Sequence, residues 1–270
     1  APGAECHAWA AQLSVMLKAS RHEGCIRCMK DLFSEHSALY RQARPGYSAA
    51  IIEEILKHAP ARELAWDCGA GSGQFTQWLA PHFQRVLATD LSAPQLAQAP
   101  QLDNVTYCAA PAEQSGLPAQ SADLVTVAQA IHWFDFDAFY AEARRVLKPD
   151  GCLAVIGYGL IEAENPDLNR LIRQLYFETL KGCWDAERRY VDELYRTIPF
   201  PFQEQAAPAQ QLQYRWTGGQ LLNYFNTWSG LRHYAQQGGQ NPLAALAGFF
   251  AQERSAQHSV RFPVLLRIGK

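Results

Sequence analysis

The sequence predicts an α/β protein: a doubly wound, mostly parallel sheet with helices on both faces and a helical segment spliced in before the last strand. Three observations carry this. From residue 63 to residue 158, short apolar runs alternate with amphipathic helical patterns, the order that builds a parallel sheet. The first run ends in an acidic residue and a glycine-rich turn, Asp67-Cys68-Gly69-Ala70-Gly71-Ser72-Gly73. After Tyr158 the rhythm breaks, and an apolar run from Val260 to Ile268 returns at the end of the chain.

From the amino terminus onward, residues 1–28 read as foreign to the rest of the chain, either an extension or a misassigned start ahead of Met29-Lys30. The stretch from Ala8 to Ala19 is too polar for a signal peptide and lacks a basic lead-in. Cys25-x-x-Cys28, with His22 and Cys6-His7 nearby, has the residue types of a zinc site. No second cysteine pair at suitable spacing supports it, so no metal is expected. Ser48 precedes a helix with Ile51, Ile52, Ile55 and Leu56 on one face, ended by Pro60. Strands are expected at 63–68, 85–89, 105–109, 123–128 and 152–158. Phe75, Leu79 and Phe83 recur every four residues as one helix face. Phe136, Phe139, Ala143, Val146 and Leu147 make another, closed by Pro149-Asp150-Gly151. Asn165-Pro166-Asp167 starts a further helix, Asn as cap and Pro at the first helical position, with Leu168, Leu171, Ile172 and Leu175 behind it. An extended run near 211–216, helices near 220–236 and 242–252, and the terminal strand complete the chain. The expected division is therefore an extension over 1–28, a core over 29–160, a mostly helical lid over 161–257 and a returning strand over 258–270.

Composition narrows the function. With 270 residues, 48% hydrophobic and 19% charged, the chain can bury a large core. Its net charge is −2 and it has no dense Lys/Arg run, which argues against a nucleic-acid partner. No apolar run reaches membrane-spanning length. The seven cysteines are an odd number, and Cys68, Cys108 and Cys152 fall in core-like runs. That pattern points to reducing cytoplasm, not a disulfide framework.

The chemistry sits at the strand ends. A dinucleotide fingerprint needs its third glycine one position later than Gly73, where Gln74 stands, and no Gly-Lys-Ser/Thr phosphate loop is present. The turn fits a nucleotide-like ligand with a cationic amino-acid tail, S-adenosylmethionine being such a ligand; an empty strand–helix turn is the alternative. Asp67 suits an ammonium group, directly or through the loop. Asp90, about twenty residues past the glycines, is placed for the two hydroxyls of a ribose. Leu91 follows it, and Leu96 reads either as cover for an adenine face or as core. Ala112-Glu113 lies where an adenine edge would fall, although Glu113 reads equally as a solvated loop charge. Gln129 is a candidate donor contact at the end of the fourth strand. His132 either positions or deprotonates a nucleophile, or is a packed histidine. Trp133 reads as an acceptor contact or as packing.

The ordered set Asp67-x-Gly69-x-Gly71-x-Gly73, Asp90-Leu91-Ser92, Ala112-Glu113, Asp123-Leu124-Val125, His132-Trp133-Phe134 and Arg145-Val146-Leu147-Lys148-Pro149-x-Gly151 resembles the class I S-adenosylmethionine-dependent methyltransferases. The branch it is similar to is the small-molecule one that includes trans-aconitate and ubiquinone/menaquinone-type enzymes. The resemblance covers roughly residues 33–158. It implies a seven-stranded Rossmann-like sheet, with Asp67, Gly69, Ala70 and Gly71 against the methionine portion of the donor. It also implies Asp90 on the ribose, Ala112 and Glu113 near the adenine, and a small-molecule methyl acceptor near His132. Upstream, Tyr40-Arg41-x-x-Arg44-Pro45 resembles the entry segment of this branch, which implies Tyr40 over the sulfonium and Arg41 or Arg44 on a carboxylate, the alternative being a helix with a solvated basic face. Pro111 stands where many relatives carry an acid, which leaves backbone contact as the more direct adenine reading.

Overall fold

The computed structural model describes residues 43–238, 240–252 and 256–270. The readings placed on Tyr40, Arg41 and the Cys25-x-x-Cys28 pair lie outside the described residues.

Strand β1 (Leu64–Cys68) runs between β2 (Arg85–Asp90) and β4 (Ala122–Ala128), with β3 (Val105–Ala109) outside β2 and β5 (Leu147–Tyr158) outside β4. These four pairings are all parallel. β9 (Gln257–Gly269) is antiparallel to β5, with Leu153 opposite Gly269 and Tyr158 opposite Val264. The path β3-β2-β1-β4-β5-β9-β6 thus holds seven strands, β6 being Glu162–Ala163. Two more, β7 (Glu204–Gln205) and β8 (Gln211–Thr217), pair with β9 off that path. This is the mostly parallel, Rossmann-like sheet that the alternation of elements predicts. Every residue of β1 and all but the last of β4 are buried, as strands covered on both faces must be.

The helices follow their apolar faces, with instructive departures. α1 (Ala49–Leu56) buries Ile51, Ile52 and Ile55. The four-residue spacing of Phe75, Leu79 and Phe83 yields only a short α2 (Thr76–Leu79) and a 3-10 turn (Ala80–His82), and Phe83 is extended. Pro81 is the cause: without an N–H it cannot continue the α ladder. A second short helix, α3 (Ala93–Leu96), buries Leu96, which settles that residue as core. α4 (Phe136–Val146) is capped by Asp135, whose carboxylate accepts from the Ala138 N–H, and buries Phe139, Tyr140, Ala143 and Val146. It ends one residue before Leu147, which already pairs with Ala122. The turn read at Pro149-Asp150-Gly151 is an irregularity inside β5, because regular pairing resumes only at Cys152 opposite Leu124.

In the segment between β5 and β9, α5 (Pro166–Gln174) starts as the sequence predicts. Asn165 Oδ1 accepts from the N–H groups of Asp167 and Leu168, and Leu168 and Ile172 are buried. A π turn (Leu175–Thr179), a 3-10 turn (Ala186–Arg188) and α6 (Arg189–Asp192) follow. The single helix read over 220–236 is two, α7 (Gly218–Phe225) and α8 (Ser229–Gln236). The break comes where the Thr227 hydroxyl donates to the Tyr224 carbonyl, 2.6 Å away, and Trp228 turns extended. α9 (Ala244–Gln252) precedes β9. Tyr214, Trp216, Tyr224 and Phe225 pack with Phe262 or with one another, so much of this segment's aromatic stock forms its own core. Among the described residues no helix is long and apolar enough to cross a membrane, and no cluster of three or more His, Cys, Asp or Glu has metal-holding geometry.

The amino ends of the strands are clamped by charge. Asp123, fully buried, accepts from the N–H groups of Glu63 and Leu64 at 2.9 and 3.1 Å. Lys148 Nζ bridges Asp123 Oδ1 at 2.8 Å and Glu63 Oε2 at 2.6 Å. Removing that cation leaves a buried carboxylate with its charge uncompensated. Lys148→Met is therefore expected to cost about 1–3 kcal/mol in a urea titration. It should leave ligand affinity at the opposite end of the sheet unchanged; a change there would show that the clamp is not local.

Candidate functional site

Strand order reverses between β1 and β4, and in such sheets the crevice beyond the carboxyl ends is where ligands bind. The glycine turn closes it on one side. Gly69 and Gly71 hold φ of +72° and +55°, the left-handed region that glycine adopts without cost. The N–H groups of Gly69 and Ala70 both donate to the Thr89 carbonyl at 2.8 and 2.9 Å, fastening the turn to β2. A Cβ on Gly69 would lie 2.6 Å from Ala130 Cβ, so this glycine lets the turn approach the segment after β4.

Three carboxylates gather on this side. Asp67 is 0% exposed and receives hydrogen bonds from Thr76 Oγ1 at 2.6 Å and Thr126 Oγ1 at 2.9 Å. Burial pushes its pKa up to about 6, against those two hydroxyls and with a contribution from the charge of Asp90. Such burial suits action through the turn and α2 better than direct contact with an ammonium group. Asp90, half-buried, accepts from the Gly71 N–H at 2.9 Å and the Ser92 N–H at 2.8 Å, tying both turns together. Glu113 joins Asp67 and Asp90 in raising the Cys68 thiol, after burial, the largest cause. Next to Asp90, Leu91 is 53% exposed, one of two large apolar side chains left open among the described residues. Ala112 is buried and the neighbouring Ala110 N–H donates to the Asp90 carbonyl, so β3 delivers this loop to the same crevice.

The end of β4 forms the floor. Gln129 has φ of +58°, a strained conformation for a residue with a side chain, and its backbone N–H donates to the Ile156 carbonyl. Its Nε2 is buried without a hydrogen-bond partner among the described residues. An orphaned amide at a strained strand end suits a ligand that completes it. His132 and Trp133 follow in a 3-10 turn, their rings 5.0 Å apart. Nδ1 of His132 lies 3.2 Å from the Tyr195 hydroxyl. Burial first, then the charges of Arg188 and Arg44, pushes the His132 pKa down to about 3. At neutral pH the imidazole is then uncharged, which favours the packed-histidine alternative over a proton acceptor titrating near neutrality.

Two arginines lie near the end of β4, where their charges act on His132. Arg44 is part-buried, and its guanidinium is engaged by protein groups, which favours a held arginine over a solvated basic face there. Its Nε donates to Thr227 Oγ1 at 3.0 Å, Nη2 to the Thr227 carbonyl at 3.3 Å and Nη1 to the Tyr158 hydroxyl at 3.2 Å. The guanidinium is thereby pinned between the end of β5 and the α7–α8 break. Arg188 and Tyr195, which no sequence motif marks, belong to the same wall. Tyr195 is fully buried, and Leu194 and Tyr195 are both left-handed, with φ of +57° and +60°. Gly157 makes room for the Tyr195 ring, since a Cβ there would sit 2.7 Å from it. Arg267 Nη1 fixes the Tyr195 carbonyl at 3.0 Å. The site is thus split by sign: acids at the ends of β1, β2 and β3, and arginines over the end of β4.

Comparison with known proteins places this geometry. A sequence model described as a methyltransferase domain matches residues 66–155. A protein of Dictyostelium discoideum named as a methyltransferase is 35% identical over 216 residues, 79% of this chain and 82% of that one. A Saccharomyces cerevisiae protein named as an S-adenosylmethionine-dependent methyltransferase is 30% identical over 173 residues, 60% of this chain and 57% of that one. Among solved structures, one of a protein named as a type II methyltransferase from Anaeromyxobacter dehalogenans superposes with a TM-score of 0.78 at 40% identity, covering 84% of this chain and 97% of that one.

Proposed function

The chain belongs to the S-adenosylmethionine-dependent methyltransferases, with their mostly parallel Rossmann-like fold, and we propose that its methyl acceptor is a small organic molecule bound in the crevice over β4. The observation that carries this is the division of charge. A cationic donor suits the face bearing Asp67, Asp90 and Glu113, and an acceptor suits the enclosed wall of His132, Tyr195, Arg44 and Arg188. The wall is closed by aromatic side chains, which favours a compact acceptor over a polymer. The chain's net charge of −2 also disfavours nucleic acid. The order of motifs supports the branch that includes trans-aconitate and ubiquinone/menaquinone methyltransferases. Thiol cysteines at Cys68, Cys108, Cys152 and Cys183 support a cytoplasmic setting.

The residues present fit the donor. Gly69, Ala70 and Gly71 offer bare main chain to the methionine portion, and Asp67 ties the start of α2 to β4 beside them through Thr76 and Thr126. Asp90 takes the ribose hydroxyls, exposed Leu91 covers one adenine face, and Ala112 with Glu113 borders the adenine edge. The unpaired Gln129 amide completes the floor. Bound S-adenosylmethionine supplies a methyl group on a cationic sulfur, electrophilic without further activation. The chain's own task is then alignment and exclusion of water, worth several kcal/mol of barrier on its own. Trp133 and His132 shape the acceptor side, and neutral His132 orients an acceptor by hydrogen bonding.

The test is calorimetry with S-adenosylhomocysteine, followed by methyl transfer from labelled donor into a pool of small metabolites. Asp90→Ala should weaken S-adenosylhomocysteine by about 2–3 kcal/mol, roughly 30- to 150-fold, because a charged acceptor of two hydrogen bonds is lost. An unchanged dissociation constant would remove Asp90 from the ribose site. Transfer into protein or RNA but not into the small-molecule pool would overturn the acceptor class.

A further inference from the structure

Arg188 is the cation of the acceptor wall with donors to spare. Its guanidinium carbon lies 5.5 Å from the Tyr176 ring centroid and 5.4 Å from that of Trp184, so aromatic faces flank it. Its side chain retains 21% of its exposure. Nε donates to the Tyr176 hydroxyl at 2.9 Å, and that hydroxyl donates to Asp192 Oδ1 at 2.5 Å. Asp192 itself is 3.8 Å from Nε, so the acid reaches this guanidinium mainly through the tyrosine. Among the described residues neither Nη makes a hydrogen bond, and both are accessible enough not to be orphaned buried atoms. The Ala186–Arg188 turn packs on the Ile131–Trp133 turn, which places this charge near enough to His132 to suppress its protonation. Held by aromatic faces with both ends of its fork open, this guanidinium presents parallel donors that a planar anion can fill.

We propose that Arg188 anchors the methyl acceptor through a carboxylate, so that the enzyme selects small organic acids over their neutral analogues. This rests on the methyltransferase reading and deepens it. The fork geometry favours a carboxylate, which takes two parallel N–H bonds, over a lone hydroxyl or carbonyl. Arg44 is the lesser candidate, since three of its five N–H groups already go to Thr227 and Tyr158. Tyr195 is the positioning residue of the pair: two consecutive left-handed residues and the Gly157 gap hold its hydroxyl against His132, leaving the other ring nitrogen for the acceptor.

The experiment uses the full chain saturated with S-adenosylhomocysteine. Phenylacetate, sorbate and cinnamate are titrated in by calorimetry, each beside its neutral amide. At least one carboxylate should bind tenfold or more tightly than its amide. Arg188→Gln should shrink that preference below threefold and Arg188→Lys should leave it intermediate, with S-adenosylhomocysteine affinity within twofold of wild type in both. Equal binding of acid and amide, no binding by any of the three acids, or an undiminished preference in Arg188→Gln would overturn the proposal. Loss of S-adenosylhomocysteine affinity in Arg188→Gln would overturn it too, by assigning the arginine to the carboxylate of the donor. The comparison of acid with amide needs no variant, so a poorly folding substitution does not shield the idea. The first titration separates the two levels: no S-adenosylhomocysteine binding to wild type would sink the methyltransferase reading itself.

Discussion

Gly69→Ala is expected to abolish measurable binding of S-adenosylhomocysteine and to lower stability by about 2–5 kcal/mol. Two costs add. An L side chain at φ +72° costs about 1–2 kcal/mol. The new methyl would stand 2.6 Å from Ala130 Cβ and 3.2 Å from Phe134 Cζ, an overpacking worth about 1–3 kcal/mol. Ala130 follows Gln129 directly, so relief of the clash moves the turn, the Gln129 amide, or both. Gly71→Val serves as the contrast. Its Cβ would meet only the Gln95 amide oxygen, 2.8 Å away at the end of a flexible side chain. That variant should fold, yet lose binding, because a branched residue strained at φ +55° draws the Gly71 N–H away from Asp90. Urea midpoints and calorimetry on both proteins read these effects separately. Full affinity in either would detach the glycine turn from the donor site.

What was legible in the chain was whatever the chain writes locally. Asp67, Gly69, Gly71 and Asp90 lie next to strand ends that hydrophobic runs announce, so their convergence follows once the sheet is parallel. The Asn165 cap and Pro166 are contained in three residues and appear as read. The misreadings have nonlocal causes or overlooked local ones. Pro81 was in plain view but outweighed by the spacing of Phe75, Leu79 and Phe83. The α7–α8 break carries no glycine or proline in Asn226-Thr227-Trp228; its geometry rests on Thr227, which also receives Arg44 from far upstream. Arg188 comes from a three-residue turn with no periodicity, and only packing of the inserted segment brings it to His132. Leu194 and Tyr195 adopt left-handed backbone that no residue preference foretells. A lowered histidine pKa is likewise invisible until the burial and the two arginines are known.

Those electrostatics give the second large expected effect, an acid-stability signature in which two buried groups oppose each other. His132 has its folded pKa depressed from 6.5 to about 3, so the unfolded chain takes up a proton there first, and stability falls as pH drops below 6.5. Asp67 has its folded pKa raised from 3.8 to about 6. The folded state takes up that proton first, so its contribution is present in full below 3.8 and is lost as pH rises through 6. Between about pH 4 and 6 the two slopes nearly cancel in the wild type, and single variants uncover them. From pH 7 to pH 4.5 the wild type should lose about 3 kcal/mol relative to His132→Asn and gain about 2 kcal/mol relative to Asp67→Asn. Urea titrations of the three proteins across that range isolate each term, since every other titrating group is common to them. The same depressed pKa requires that kcat/KM show no His132 limb between about pH 5 and 8. A limb near 6.5 that disappears in His132→Asn would mean the imidazole is hydrated and basic, contrary to its enclosure by Tyr195, Arg188 and Arg44. A wild-type stability curve parallel to that of His132→Asn would say the same without any turnover at all.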